Sequence, residues 1–193
     1  MHLLLWAVAA GCLWIGFLSG FWIVLHQLVA THGNPLPDTS KLPLATVAVS
    51  LAAASISGAV SEEAGFRGYL QSALERRGMG PLAIAVTALV MAPEHALTQG
   101  FVWPNMLFYL LVDAMLGALA YVTKSIVPGI AVHALGLLTF FTLVWPGDAH
   151  RAQVLSQGAD LWFWTHVAQC VVFAALSGAA FLHLLKLSRQ ATS

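Results

Sequence analysis

Apolar stretches long enough to cross a lipid bilayer recur along this chain of 193 residues, the first running from Leu3 to about Ala30. A spanning helix needs about 20 predominantly apolar residues, and few soluble folds have use for even one such stretch. Composition agrees: 59% of the residues are hydrophobic, 8% are charged, and the mean hydropathy is +0.81. Soluble domains carry about 25% charged residues. The expected fold is therefore all-α, a polytopic transmembrane helix bundle of about six spans, surrounded by membrane lipids.

The formal net charge is zero, which gives no basis for nucleic-acid binding or a polybasic lipid anchor. Cys12 and Cys170 lie within apolar runs and lack CxxC spacing, so they read as small buried side chains. The N-terminal apolar stretch exceeds the h-region of a signal peptide and has no basic residue before it, so it reads as a retained span.

The spans fall at about 3–30, 42–64, 81–99, 104–123, 126–145 and 160–186. Gly- and Pro-containing joints separate most of them, at His32–Pro37, Gly78–Pro81, Trp103-Pro104 and Trp145–Gly147. Residues 1–193 read as a single membrane domain with a motif-bearing core at about 42–145. With six spans, Arg76, Arg77, Lys124, Lys186 and Arg189 share one side, and Lys41 and Arg151 the other. That imbalance puts both termini in the cytoplasm, and Trp103, Trp145, Trp162 and Trp164 fall where an interfacial belt would hold them. Apolar residues at 66, 69, 70, 73 and 74 extend the second helix beyond its apolar part. Gly78 then suits its C-cap, and Pro81 the start of the next helix.

Ionisable groups inside a membrane are costly and mark functional sites by default. The candidates are Glu62, Glu63, Arg67, Glu94, His95, Asp113, His133 and His166. Glu62 and His95 lie about equally far from the turn near residue 79, so two antiparallel helices set them at one height. A carboxylate beside an imidazole, out of bulk water, is a workable general-base pair. Glu63 and Arg67 have the i, i+4 spacing of an ion pair. Glu62, about 100° further round the helix, faces the bundle interior. His133 sits closer to its loop than the other two, and Pro128-Gly129 before it offers a way to unwind the helix start. Asp113 reads as a hydrogen-bonding partner of a nearby hydroxyl, His166 and His183 as packing residues, and His26 and His32 as interfacial ones. Glu94 reads as facing away from His95.

The segment Ser61-Glu62-Glu63-Ala64-Gly65-Phe66-Arg67 resembles the EExxxR motif of the CPBP family, the CAAX proteases and bacteriocin-processing enzymes. Met91-Ala92-Pro93-Glu94-His95 is similar to its FxxxH motif, and the approach to His133 to its HxxxN or HxxxD motif. The resemblance spans residues 55–140 and implies an intramembrane endopeptidase of glutamic type in a prokaryotic plasma membrane. It would cleave a membrane-anchored or lipidated peptide near its C-terminus. It implies that Glu62 activates water with help from His95, that Glu63 and Arg67 hold the glutamate helix, and that His133 stabilises the oxyanion. No cofactor is expected: zinc on one Glu and two His is conceivable, but HExxH is absent and a metal-free site is favoured. Met91 replaces the motif's Phe, and Leu137 stands where Asn or Asp is expected. Leu137 keeps a catalytically silent homologue, an immunity or scaffold protein, open as an alternative. A proton-relay transporter is the weaker one, since no inverted repeat is evident. Asn105 or Asp113 on the neighbouring span are the candidate substitutes for the missing polar group.

Overall fold

The computed structural model describes residues 2–29, 39–99, 101–144 and 153–192. Its helices are α1 (His2–Leu28), α2 (Leu44–Glu62), α3 (Ser72–Arg76), α4 (Leu82–Gln99), α5 (Trp103–Thr123), α6 (Val127–Thr139), α7 (Val154–Gln157) and α8 (Leu161–Thr192). Among the described residues five helical segments are long and apolar enough to span, and a shorter apolar helix, Leu82–His95, accompanies them. The chain is an integral membrane helix bundle. The joints at His32–Pro37 and Trp145–Gly147, with Trp145 and Arg151, lie outside the described residues.

Between α2 and α3 the backbone is not the regular helix that apolar spacing suggests. Glu63–Gln71 form a π-helical segment, and a second one, Phe140–Val144, continues α6. π segments are uncommon and gather at functional sites. This one begins within the Glu62-Glu63 pair and contains Arg67. The turn after α3 follows expectation: Gly78 takes φ +85°, open to a residue without Cβ, and α4 starts one residue after Pro81.

Helix α5 lies centrally, packed on α1, α4, α6 and the π segment. Its partners bury two apolar clusters. One joins Leu18 and Trp22 of α1 to Phe108 and Tyr109 of α5. The other joins Ala7, Leu116, Leu119, Val132 and Leu184. Helices α1 and α8 pack along one another, while α2 rests chiefly on α6 and buries only Ser55 and Ala59. Leu44, Val49 and Ile56 of α2 and Val171, Val172 and Leu182 of α8 face outward. In a bilayer that apolar surface meets lipid tails, where exposure costs nothing. Trp103, Trp162 and Trp164 are exposed near helix starts, as an interfacial belt requires.

Candidate active site

Glu62 ends α2, and its carboxylate lies between two imidazoles. Its Oε2 is 3.9 Å from Nε2 of His95 on α4 and 3.6 Å from Nε2 of His133 on α6. The hairpin between α2 and α4 thus brings Glu62 and His95 to one level, despite the π segment in one arm and Pro93 in the other. Both separations exceed an ordinary hydrogen bond, and Oε2 of Glu62 has no hydrogen-bond partner. The three atoms surround a space in which a small polar group can be held by all of them.

Behind this triangle lies a fully buried charge cluster. Glu63 and Arg67 pair through Nη1 and Oε1 at 3.1 Å, the i, i+4 contact read from spacing. Arg67 Nη1 also reaches the Met91 sulfur at 2.9 Å, and Nη2 donates to the Asp113 carboxylate at 2.8 Å and its carbonyl at 3.1 Å. Asp113 thus pairs with a guanidinium, not with a hydroxyl. Met91, at the motif's Phe position, thus touches the guanidinium directly.

His133 meets the cluster from the far side. Its Nδ1 lies 3.0 Å from Oε1 of Glu63. An ionised carboxylate only accepts, so Nδ1 carries the proton, and in the neutral ring Nε2 is bare towards Glu62. Glu63 thus fixes the orientation of His133 through Nδ1, as carboxylate partners of imidazoles commonly do. Helix α6 comes this close because residue 129 lacks a side chain. A Cβ there would stand 2.7 Å from Oε2 of Glu63. The helix start is not unwound: Pro128 sits in the first turn, where its missing N–H costs nothing.

A cavity of about 340 Å³ opens in front of Glu62, His95 and His133. Apart from those three, Ser19 and Tyr109, its walls are apolar or glycine, with Leu18, Phe108, Leu137 and Phe141 among them. Tyr109 stacks on the His95 ring, centroids 4.2 Å apart. Leu137 lines the wall near Gly58. Neither proposed substitute takes its place: Asn105 bonds His26 at 3.2 Å, and Asp113 bonds Arg67.

The remaining titratable candidates lie elsewhere. Glu94 is exposed. His166 bonds the Trp162 carbonyl, and His183 packs on Trp6. His26 is buried and stacked on Trp22. His32 lies outside the described residues. Among the described residues no group of three or more His, Cys, Asp and Glu side chains is arranged to hold a metal ion. The contact of Met91 with Arg67 and that of Tyr109 with His95 were not read from the sequence; Met91 stood out there only as the residue at the motif's Phe position. Sequence reasoning weighed Asp113 and misassigned its partner.

A model of the type II CAAX prenyl endopeptidase Rce1-like family matches residues 44–139. No curated protein and no solved structure matches the chain. The matched stretch runs from the start of α2 to the end of α6 and contains every side chain of the charge cluster and the triangle.

Proposed function

We propose that this chain, which belongs to the CAAX protease family of the Rce1-like type, uses Glu62 as the base of a glutamic-type intramembrane endopeptidase. The family supports a membrane protease acting on a protein or peptide; the residue roles are our reading. The observation that carries it is Glu62 Oε2 facing two imidazole nitrogens at 3.6 and 3.9 Å at the end of an apolar cavity.

In this reading a water bound among Glu62, His95 and His133 gives its proton to the Glu62 carboxylate as its oxygen attacks the scissile carbonyl carbon. His95 steadies the water and passes the proton on to the leaving amine. His133, held by Glu63, donates towards the oxyanion as negative charge builds there. The donation requires Nε2 to carry a proton. Arg67 offsets the charge of Glu63 and Asp113. The apolar walls suit a membrane-anchored or lipidated peptide cut near its C-terminus. No zinc enters the scheme. The membrane orientation that fits the Lys and Arg distribution has both termini cytoplasmic, in a prokaryotic plasma membrane.

The test is cleavage of a prenylated CAAX reporter peptide by purified protein in detergent, with and without chelator. Glu62→Ala and His133→Ala should each abolish cleavage, and chelator should leave the parent unaffected. Normal cutting by both variants would sink the assignment. A folded parent that cuts neither prenylated nor unprenylated membrane peptides would favour the silent-homologue alternative raised by Leu137.

A further inference from the structure

Helix α5 contributes nothing to the EExxxR or histidine motifs, yet it presents a row of groups to the site at every fourth position. Tyr109 stacks on His95, Asp113 takes hydrogen bonds from Arg67, and the Gly117 carbonyl accepts from Gln71 at 2.9 Å. A spacing of four keeps the row on one face. Asp113 is its charged member and is 1% exposed.

We infer that Asp113 is a positioning residue that acts through Arg67 and Glu63 on His133. Its kinetic consequences rest on the peptidase reading above; its structural ones rest on geometry alone. A guanidinium favours both oxygens of a single carboxylate, in a two-pronged pair. Glu63, four residues earlier on the same face, is within reach to be that carboxylate. It is not, because Nη2 is held by Asp113 at 2.8 Å and by the Asp113 carbonyl at 3.1 Å. Arg67 therefore takes Glu63 through Nη1 alone, and the same Glu63 Oε1 remains available to His133 Nδ1 at 3.0 Å. The other Asp113 oxygen is buried without a hydrogen-bond partner, so the carboxylate spends its hydrogen bonding on Arg67. Removal of the charge at 113 leaves Nη2 only neutral acceptors, the backbone carbonyl of that residue among them, and makes Glu63 its stronger partner. Glu63 Oε2 has no hydrogen-bond partner to hold it, so the carboxylate turns to face both guanidinium nitrogens, and Oε1 shifts away from the ring whose tautomer it fixes.

Asp113→Asn keeps the shape and removes the charge. Two readouts follow in the full-length protein in detergent: turnover of the prenylated CAAX reporter, and the side-chain ¹⁵N shifts of His133, assigned by loss of its signal in His133→Gln. We expect kcat to fall about 10–100-fold, the usual cost of losing a group that orients a functional side chain, with KM nearly unchanged. In a Glu63→Gln background the same change should cost little more, because both act through one path. The His133 signal should move from the Nδ1-protonated tautomer towards a mixture. Unchanged kcat, a full additional loss in the Glu63→Gln background, or an unmoved His133 signal would each overturn the inference. Should Asp113→Asn not fold, Asp113→Glu displaces the carboxylate by one methylene and is read the same way: lowered kcat with an unmoved His133 signal overturns it. The spectroscopic arm needs no substrate. An inactive parent whose His133 signal moves in Asp113→Asn would refute the peptidase reading and leave the positioning role standing.

Discussion

His133 and Glu63 stand 70 residues apart in the chain and meet through a 3.0 Å hydrogen bond from imidazole Nδ1 to carboxylate Oε1. The second glutamate of the motif is thereby linked at once to Arg67 on its own helix and to the histidine on α6. This bond turns Nε2 of His133 towards Glu62.

Glu63→Gln should retain the fold and lose turnover. A glutamine can still accept from Nδ1 through its amide oxygen, but it carries no charge to offset Arg67. We expect kcat about 10–100-fold lower with KM little changed, measured by steady-state cleavage of the reporter peptide. Wild-type turnover would remove Glu63 from the account of His133.

Arg67→Met should act on stability first. It leaves Glu63 and Asp113 buried without their countercharge, and breaking a buried ion pair from one side costs about 3–5 kcal/mol. Thermal unfolding in detergent, followed by tryptophan fluorescence, should show a clear drop in midpoint. Arg67→Lys should recover part of it only, since a single ammonium cannot span Glu63, Met91 and Asp113 as the guanidinium fork does. A midpoint equal to the parent's in Arg67→Met would contradict the cluster.

Two glycine substitutions should part company. Gly129→Ala drives a methyl group to within 2.7 Å of the buried Glu63 Oε2, and overpacking of this kind costs about 1–3 kcal/mol. The carboxylate must shift, so activity should fall with stability. Gly58→Ala meets Leu137 at 3.5 Å and Glu62 Oε1 at 4.0 Å, ordinary contacts, and should leave both nearly intact. Equal behaviour of the two in parallel melting and cleavage assays would count against the close approach of α6 to Glu63.

Leu137→Asn places an amide on the cavity wall one turn beyond His133. A second donor at a developing oxyanion is worth about 100-fold or more where its geometry is good; at an unoptimised position we expect about a tenfold rise in kcat. A rise with KM constant would identify that wall as the oxyanion side. A fall in kcat with the fold intact would place the oxyanion elsewhere.

Much of this site was legible in the chain because the decisive relations were local. Glu63 and Arg67 are four residues apart, and Glu62 and His95 flank one short turn, so helix geometry and a hairpin suffice to pair each couple. The bilayer strengthens such reasoning, since a charge within an apolar span must find a partner. The π-helical turn at Glu63–Gln71 was not legible, because apolar spacing over nine residues does not separate one helical form from another. Nor was the Arg67–Asp113 pair, which depends on how α5 lies against the π segment.

The sequence by itself determined a helical membrane bundle, the two local pairs, and the motif that ties the chain to a protease family. Long apolar stretches and fixed helical repeat carry that information without reference to any other part of the chain. Packing between helices set the rest: His133 turns one nitrogen to Glu63 and the other to Glu62, Asp113 holds the far side of Arg67, and Glu62 lines an apolar cavity. Those contacts join residues tens of positions apart, and their geometry follows from how closely α5 and α6 approach the glutamate helix, a distance set by side-chain packing and by the absence of a side chain at Gly129.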